Sequence, residues 1–255
     1  MQSEKDQKPL ALNPPAVKRV EYQRNFIKTA VCELRFPTLL ELEAKPPRAF
    51  QTKIRKSYPF YEAQTMQALG GQADEGSLQH HYIFRSKDQR WTVSIKSFSI
   101  ALETSRYIDF EDFFSRFMDV LKNAEEMIDS DFFTRVGLRY VNAIPISDGQ
   151  LEGWIRPDLV CAITGGVLGT PESFGTIIEG RTQRGQYALR HGMWKGNDKQ
   201  DSGPAYQLDF DYSKENVELG EIESLIKYFN ETNFSFFSWC LGEKAQKFLG
   251  EGKPK

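Results

Sequence analysis

Arg135 and Arg139 stand four residues apart in FTRVGLRYVNAIP, residues 133–145. Read with period two, they share a strand face with Gly137 and Val141, while Val136, Leu138 and Tyr140 take the other. In AVCELRFP, residues 30–37, Cys32, Leu34 and Phe36 likewise oppose Glu33 and Arg35. If these two strands pair, Glu33, Arg35, Arg135 and Arg139 gather on one side. Two chemistries suit such a cluster: guanidinium forks that clamp a phosphate or carboxylate ligand, or an internal network in which Glu33 neutralises the arginines. Gly137, lacking a side chain, leaves room for a neighbouring group or a ligand to approach the backbone.

The same parity brings Arg85, Lys96, Glu103, Arg190, Asp209 and Asp211 to the polar face. Its mixed signs disfavour duplex DNA relative to a protein partner or a small polar ligand. Asp209 and Asp211 alternate in a strand and are weak candidates for one Mg²⁺. No third carboxylate is placed beside them, so an ion-paired role is expected and no metal or cofactor is invoked. His80 and His81 are adjacent in a strand and point to opposite faces, which rules out a simple chelating pair. His191 reads as a packed strand residue. The run TGGVLGT, residues 164–170, resembles a phosphate loop but lacks GxxxxGK[ST], and a flexible loop is expected. GxSxG, HExxH and zinc-deaminase patterns are missing, so a binding protein is expected ahead of an enzyme, whose catalytic groups would have to come together from distant parts of the chain.

Composition narrows the setting. The 255 residues are 40% hydrophobic and carry 33 Lys+Arg against 35 Asp+Glu, enough for one sizeable core and without the basic excess of a dedicated nucleic-acid binder. Cys32, Cys161 and Cys240 lie far apart with no CxxC pair and are expected to be buried thiols in a reducing cytoplasm. No apolar run reaches the ~20 residues of a membrane helix, so no membrane association is expected.

The elements that must position the cluster follow from periodicity. Residues 1–24 mix Lys, Glu, Gln and Pro and read as a flexible arm. Beyond it, residues 25–255 are expected to form a single duplicated α+β domain, with halves at 25–130 and 131–255. Half one reads as a strand, a short helix after Pro46-Pro47, a four-stranded meander and a helix over residues 107–128, with Gly70-Gly71 as one of the meander turns. Half two repeats this less regularly, with a short helix or turn near 149–158, strands near 173–181, 186–194 and 205–212, and a long helix over 218–237. KGNDKQDSG, residues 195–203, reads as a hairpin tip, and a last helix is expected at 243–249. The result is a curved antiparallel sheet of β-α-β(3-4)-α units with long helices on one face, a topology that loosely resembles the duplicated TATA-binding-protein-like fold.

CELRFP, SIALETSRYIDFEDF, the central GLRYVN and the late YQLDFD also resemble a sporadically distributed family of uncharacterised bacterial proteins, over roughly residues 26–250. That family's patchy occurrence implies mobile operons of the phage-defence or toxin–antitoxin kind. By motif match it draws attention to Glu33, Arg35, Gly137, Arg139, Tyr140 and Asn142. Two functions are therefore expected: a protein-binding accessory subunit partnered from its own operon, or a sensor of a nucleotide or nucleic-acid end through Arg35, Arg135 and Arg139.

Overall fold

The computed structural model describes residues 11–67, 78–146, 150–169, 171–193 and 205–252. Alternating strands dominate them. β1 (Ile27–Arg35), β2 (Phe60–Gln67), β3 (Leu78–Arg85), β4 (Trp91–Lys96), β5 (Ser99–Thr104), β6 (Phe132–Pro145), β7 (Phe174–Thr182), β8 (Gly185–Met193) and β9 (Ala205–Glu218) form one sheet. Its order is β2-β3-β4-β5-β1-β6-β9-β8-β7, and every pairing is antiparallel. The opening strand and the central one are neighbours, as the cluster required. The Gly70-Gly71 turn and the tip at 195–203 lie outside the described residues.

Six helices accompany the sheet among the described residues: α1 (Glu41–Ala44), α2 (Arg48–Ile54), α3 (Phe110–Ile128), α4 (Pro157–Thr164), α5 (Ile222–Cys240) and α6 (Glu243–Leu249). None is long and apolar enough to cross a membrane. α3 starts where Asp109 accepts the Asp112 amide at 2.8 Å, a cap worth about 1 kcal/mol, and ends at Asp129 in the left-handed region. Its apolar stripe of Phe113, Phe117, Val120, Leu121 and Ala124 is buried, and Phe113 stacks on Trp91 of β4. α5 covers the other half: Phe229 stacks on Tyr212, and Phe236 meets Phe210 edge-on. Val136, Leu138 and Tyr140 point into this single core, all essentially inaccessible.

Three readings need correction. β9 runs on to Glu218, six residues past the expected end, because residues 213–218 keep pairing with β6. Lys214 and Glu215 disguise this as a turn. Asn216 holds φ at 52°, and beyond it the buried parity switches, so that Val217 and its partner Phe133 are both core residues. The long helix consequently begins at Ile222, after a short 3₁₀ turn. The expected short helix or turn near 149–158 is a turn at residues 151–155, and α4 follows it with Pro157 at its first position. Cys161 on α4 is exposed, whereas Cys32 and Cys240 are buried as expected: α4 turns Val160 to the core and leaves Cys161, next to it, in solvent.

Residues 11–24 contact the domain without forming a helix or strand. Leu12 donates its amide to the Arg181 carbonyl at 2.7 Å, Arg24 donates to Leu249, and Arg19 lies over the rings of Phe110 and Phe234.

Candidate functional site

The helix-free face of the sheet collects the predicted polar residues. Registers fix the arrangement: Arg35 pairs with Arg135, Glu33 with Gly137, and Arg139 with Asp211. Glu33 is the hub of one chain of contacts. Its Oε1 accepts from Arg35 Nε at 2.7 Å and from an Arg135 terminal nitrogen at 3.3 Å, and the other Arg135 terminal nitrogen donates to Asp211 Oδ1 at 3.2 Å. A second group is tighter. Arg139 grips Asp209 in a fork, with Nε on Oδ1 and a terminal nitrogen on Oδ2, both at 2.8 Å, and Arg190 stands 3.8 Å from the same Oδ2. Those hydrogen bonds push the Arg139 guanidinium further above its ordinary range.

The burial is uneven. The Asp209 side chain is 2% exposed although it sits on the polar face, whereas Arg139 keeps 47% of its side chain in solvent and Arg35 keeps 46%. Asp209 is thus roofed by a guanidinium, and Asp209 and Asp211 both spend oxygens on arginines. Gly137 permits this: a Cβ there would come within 2.6 Å of the Arg135 guanidinium, which folds over the bare backbone to reach Glu33. The group that approaches Gly137 is therefore Arg135 itself.

Asn142 does not join the cluster. Three residues from Arg139, it falls on the opposite parity, is 2% exposed, and donates to the Leu208 carbonyl at 3.2 Å inside the sheet. Tyr140 also faces inward, and burial pushes its phenol well above the ordinary range. Beneath Glu33, burial likewise raises the Cys32 thiol well above its ordinary range, so it stays protonated. His191 is a packed strand residue whose Nδ1 lies 2.7 Å from the Tyr206 hydroxyl. His80 and His81 point to opposite faces as the alternation requires; His81 pairs across to Gln64, and His80 stacks on Tyr82.

One polar group was not singled out by sequence reasoning. Tyr140, Asn230 of α5 and Arg19 of the arm meet on the helix side. The Asn230 amide nitrogen, turned toward the Tyr140 hydroxyl at 3.1 Å, leaves its oxygen to accept from Arg19 at 2.9 and 3.1 Å. The signal was present as an Asn on the apolar stripe of a helix, a position that demands a partner. The partner, an arginine more than two hundred residues away, was not legible.

A scan against protein-family models gives no match to this chain, and a search of curated proteins finds no relative.

Proposed function

We propose that this chain is a non-enzymatic, cytoplasmic binding protein, the accessory subunit of a bacterial defence or antitoxin-like operon, and that the helix-free sheet face receives a protein partner from that operon. The observation that carries this reading is that the arginines already face carboxylates of their own sheet. Glu33, Asp209 and Asp211 accept from Arg35, Arg135 and Arg139 at 2.7–3.3 Å, so an incoming phosphate would meet negative charge beside each of these guanidiniums. A protein surface of mixed sign meets no such repulsion. It can pair with the outer, solvated edges of Arg35, Arg139 and Arg190 while the network fixes their positions.

The family resemblance supports the operon setting. The strand order supports the duplicated architecture, with halves at 25–130 and 131–255. In each half the first strand pairs with the last, β1 with β5 and β6 with β9, and the two first strands meet at the centre. The superposition of CELRF on VGLRY matches Glu33 with Gly137, and those two residues are themselves cross-strand partners, as an internal two-fold through that pair demands.

The test is capture of operon neighbours by the tagged chain, repeated with Arg35→Glu at a side chain nearly half in solvent. Loss of capture in a folded Arg35→Glu protein is expected. The second reading, a nucleotide or nucleic-acid-end sensor, predicts instead salt-dependent binding of nucleotides or oligonucleotide ends that the same substitution removes.

A further inference from the structure

β7 ends the sheet, and its outer edge is furnished for another strand. Thr182 and Gly185 close a two-residue hairpin, so Thr182, Gly180, Ile178 and Thr176 turn their backbone groups toward β8. Gly175, Ile177, Glu179 and Arg181 therefore direct theirs outward. The amide of Leu12 donates to the Arg181 carbonyl, which confirms that direction at one end. Among the described residues no other strand pairs with the edge at residues 174–180, which carries no proline or lysine to blunt it and exposes Ile177 and Ile178 at 65% and 36%.

We propose that this edge is a dimerisation surface whose occupant is the β7 strand of a second copy, paired antiparallel about a two-fold axis at Ile177. This goes beyond the partner reading above and stands without it. The choice of occupant rests on register and charge. An axis at Ile177 sets Ile177 against Ile177, Thr176 against Ile178, and Glu179 against Gly175, where no side chain opposes the carboxylate. Moving the axis to Ile178 buries Glu179 against Ile177 twice. Moving it to Glu179 opposes two carboxylates and claims the Arg181 carbonyl that Leu12 already holds. Pairing β7 with the other sheet edge, β2, would be head-to-tail and would propagate as a filament, whereas the two-fold contact closes. β2 also carries Glu62, Ala63 and Gln64 at its middle and offers no apolar cross-strand pair there. The dimer joins two sheets edge to edge and continues the polar face across both copies.

The experiment is sedimentation of the full chain up to about 100 μM, above the micromolar Kd that a contact of this size supports. Wild type is expected to dimerise, and Ile177→Asp to remain folded and shift to monomer with at least a tenfold weaker association. The register has its own test: hydrogen-bonded antiparallel partners have Cα atoms about 5.5 Å apart, within disulfide reach. Ile177→Cys in a Cys161→Ser background is expected to cross-link two chains under oxidised glutathione, and Thr176→Cys is not. A wild-type monomer at that concentration, a dimer that Ile177→Asp leaves intact, or no cross-link at Ile177→Cys would each overturn the proposal.

Discussion

Replacing Arg139 with Met removes a charge and keeps most of the stem. It leaves the Asp209 carboxylate, 2% exposed, with Arg190 at 3.8 Å as its nearest remaining cation. Stranding a buried charge costs about 3–5 kcal/mol. Arg190 recovers part of this by swinging closer, so the expected loss is about 2–3 kcal/mol. The reciprocal change, Asp209→Asn, leaves Arg139 nearly half in water, where it can be hydrated, and should cost about 1 kcal/mol. The two sides of one ion pair are therefore unequal, and adding Asp209→Asn to Arg139→Met should raise stability, since it discharges the stranded group. Urea denaturation with an unchanged slope reads all three differences. In a chain of this size the Arg139→Met loss corresponds to a fall in Tm of roughly 4–12 °C. If Arg139→Met proves milder than Asp209→Asn, or the double variant falls to the sum of the singles, the reading of Asp209 as a roofed carboxylate is wrong.

Gly137→Ala should keep the fold with a loss of no more than about 1 kcal/mol, because the group in its way is the mobile end of Arg135; a loss above about 3 kcal/mol would mean that backbone, not a side chain, is displaced. Thiol titration of the native protein should find one reactive cysteine, Cys161, and three in denaturant, with early reaction of Cys32 contradicting the packing beneath Glu33. Burial lowers the pKa of His191, so its neutral form contributes stability above the unfolded value of about 6.5 and that contribution is lost as pH falls below it. His191→Gln, which preserves a hydrogen-bonding partner for Tyr206, should flatten stability between pH 7 and 5; His81, shifted the same way chiefly by burial, leaves a residual slope. An unchanged slope in the variant would remove His191 from the account.

Sequence periodicity revealed the polar face but not the pairs within it. Val136, Leu138 and Tyr140 alternate so regularly that the opposite face, with Arg135 and Arg139, was legible from spacing alone. That Arg139 closes on Asp209, and Arg135 on Glu33 and Asp211, depends on the registers of β1, β6 and β9, which local pattern does not encode. Asn142 is a different case: its odd separation from Arg139 already places it on the other face, and motif resemblance outweighed that parity. The end of β9 was hidden because Lys214, Glu215 and Asn216 look like a turn, while long-range pairing with β6 and a left-handed Asn216 keep them in the sheet. Arg19 was unreadable for the opposite reason, since nothing local distinguishes it from other charges of the arm.

Carboxylates of the sheet itself pair with the arginine face, and we propose that a protein, not a phosphate, engages its solvated edges. Purification of the tagged chain together with its operon neighbours, with the eluate assayed for both polypeptide and nucleotide, tests this most directly. A stoichiometric protein partner and no bound nucleotide or nucleic acid is the predicted result. Recovered nucleotide or nucleic acid, released by salt and lost in Arg35→Glu, would contradict it.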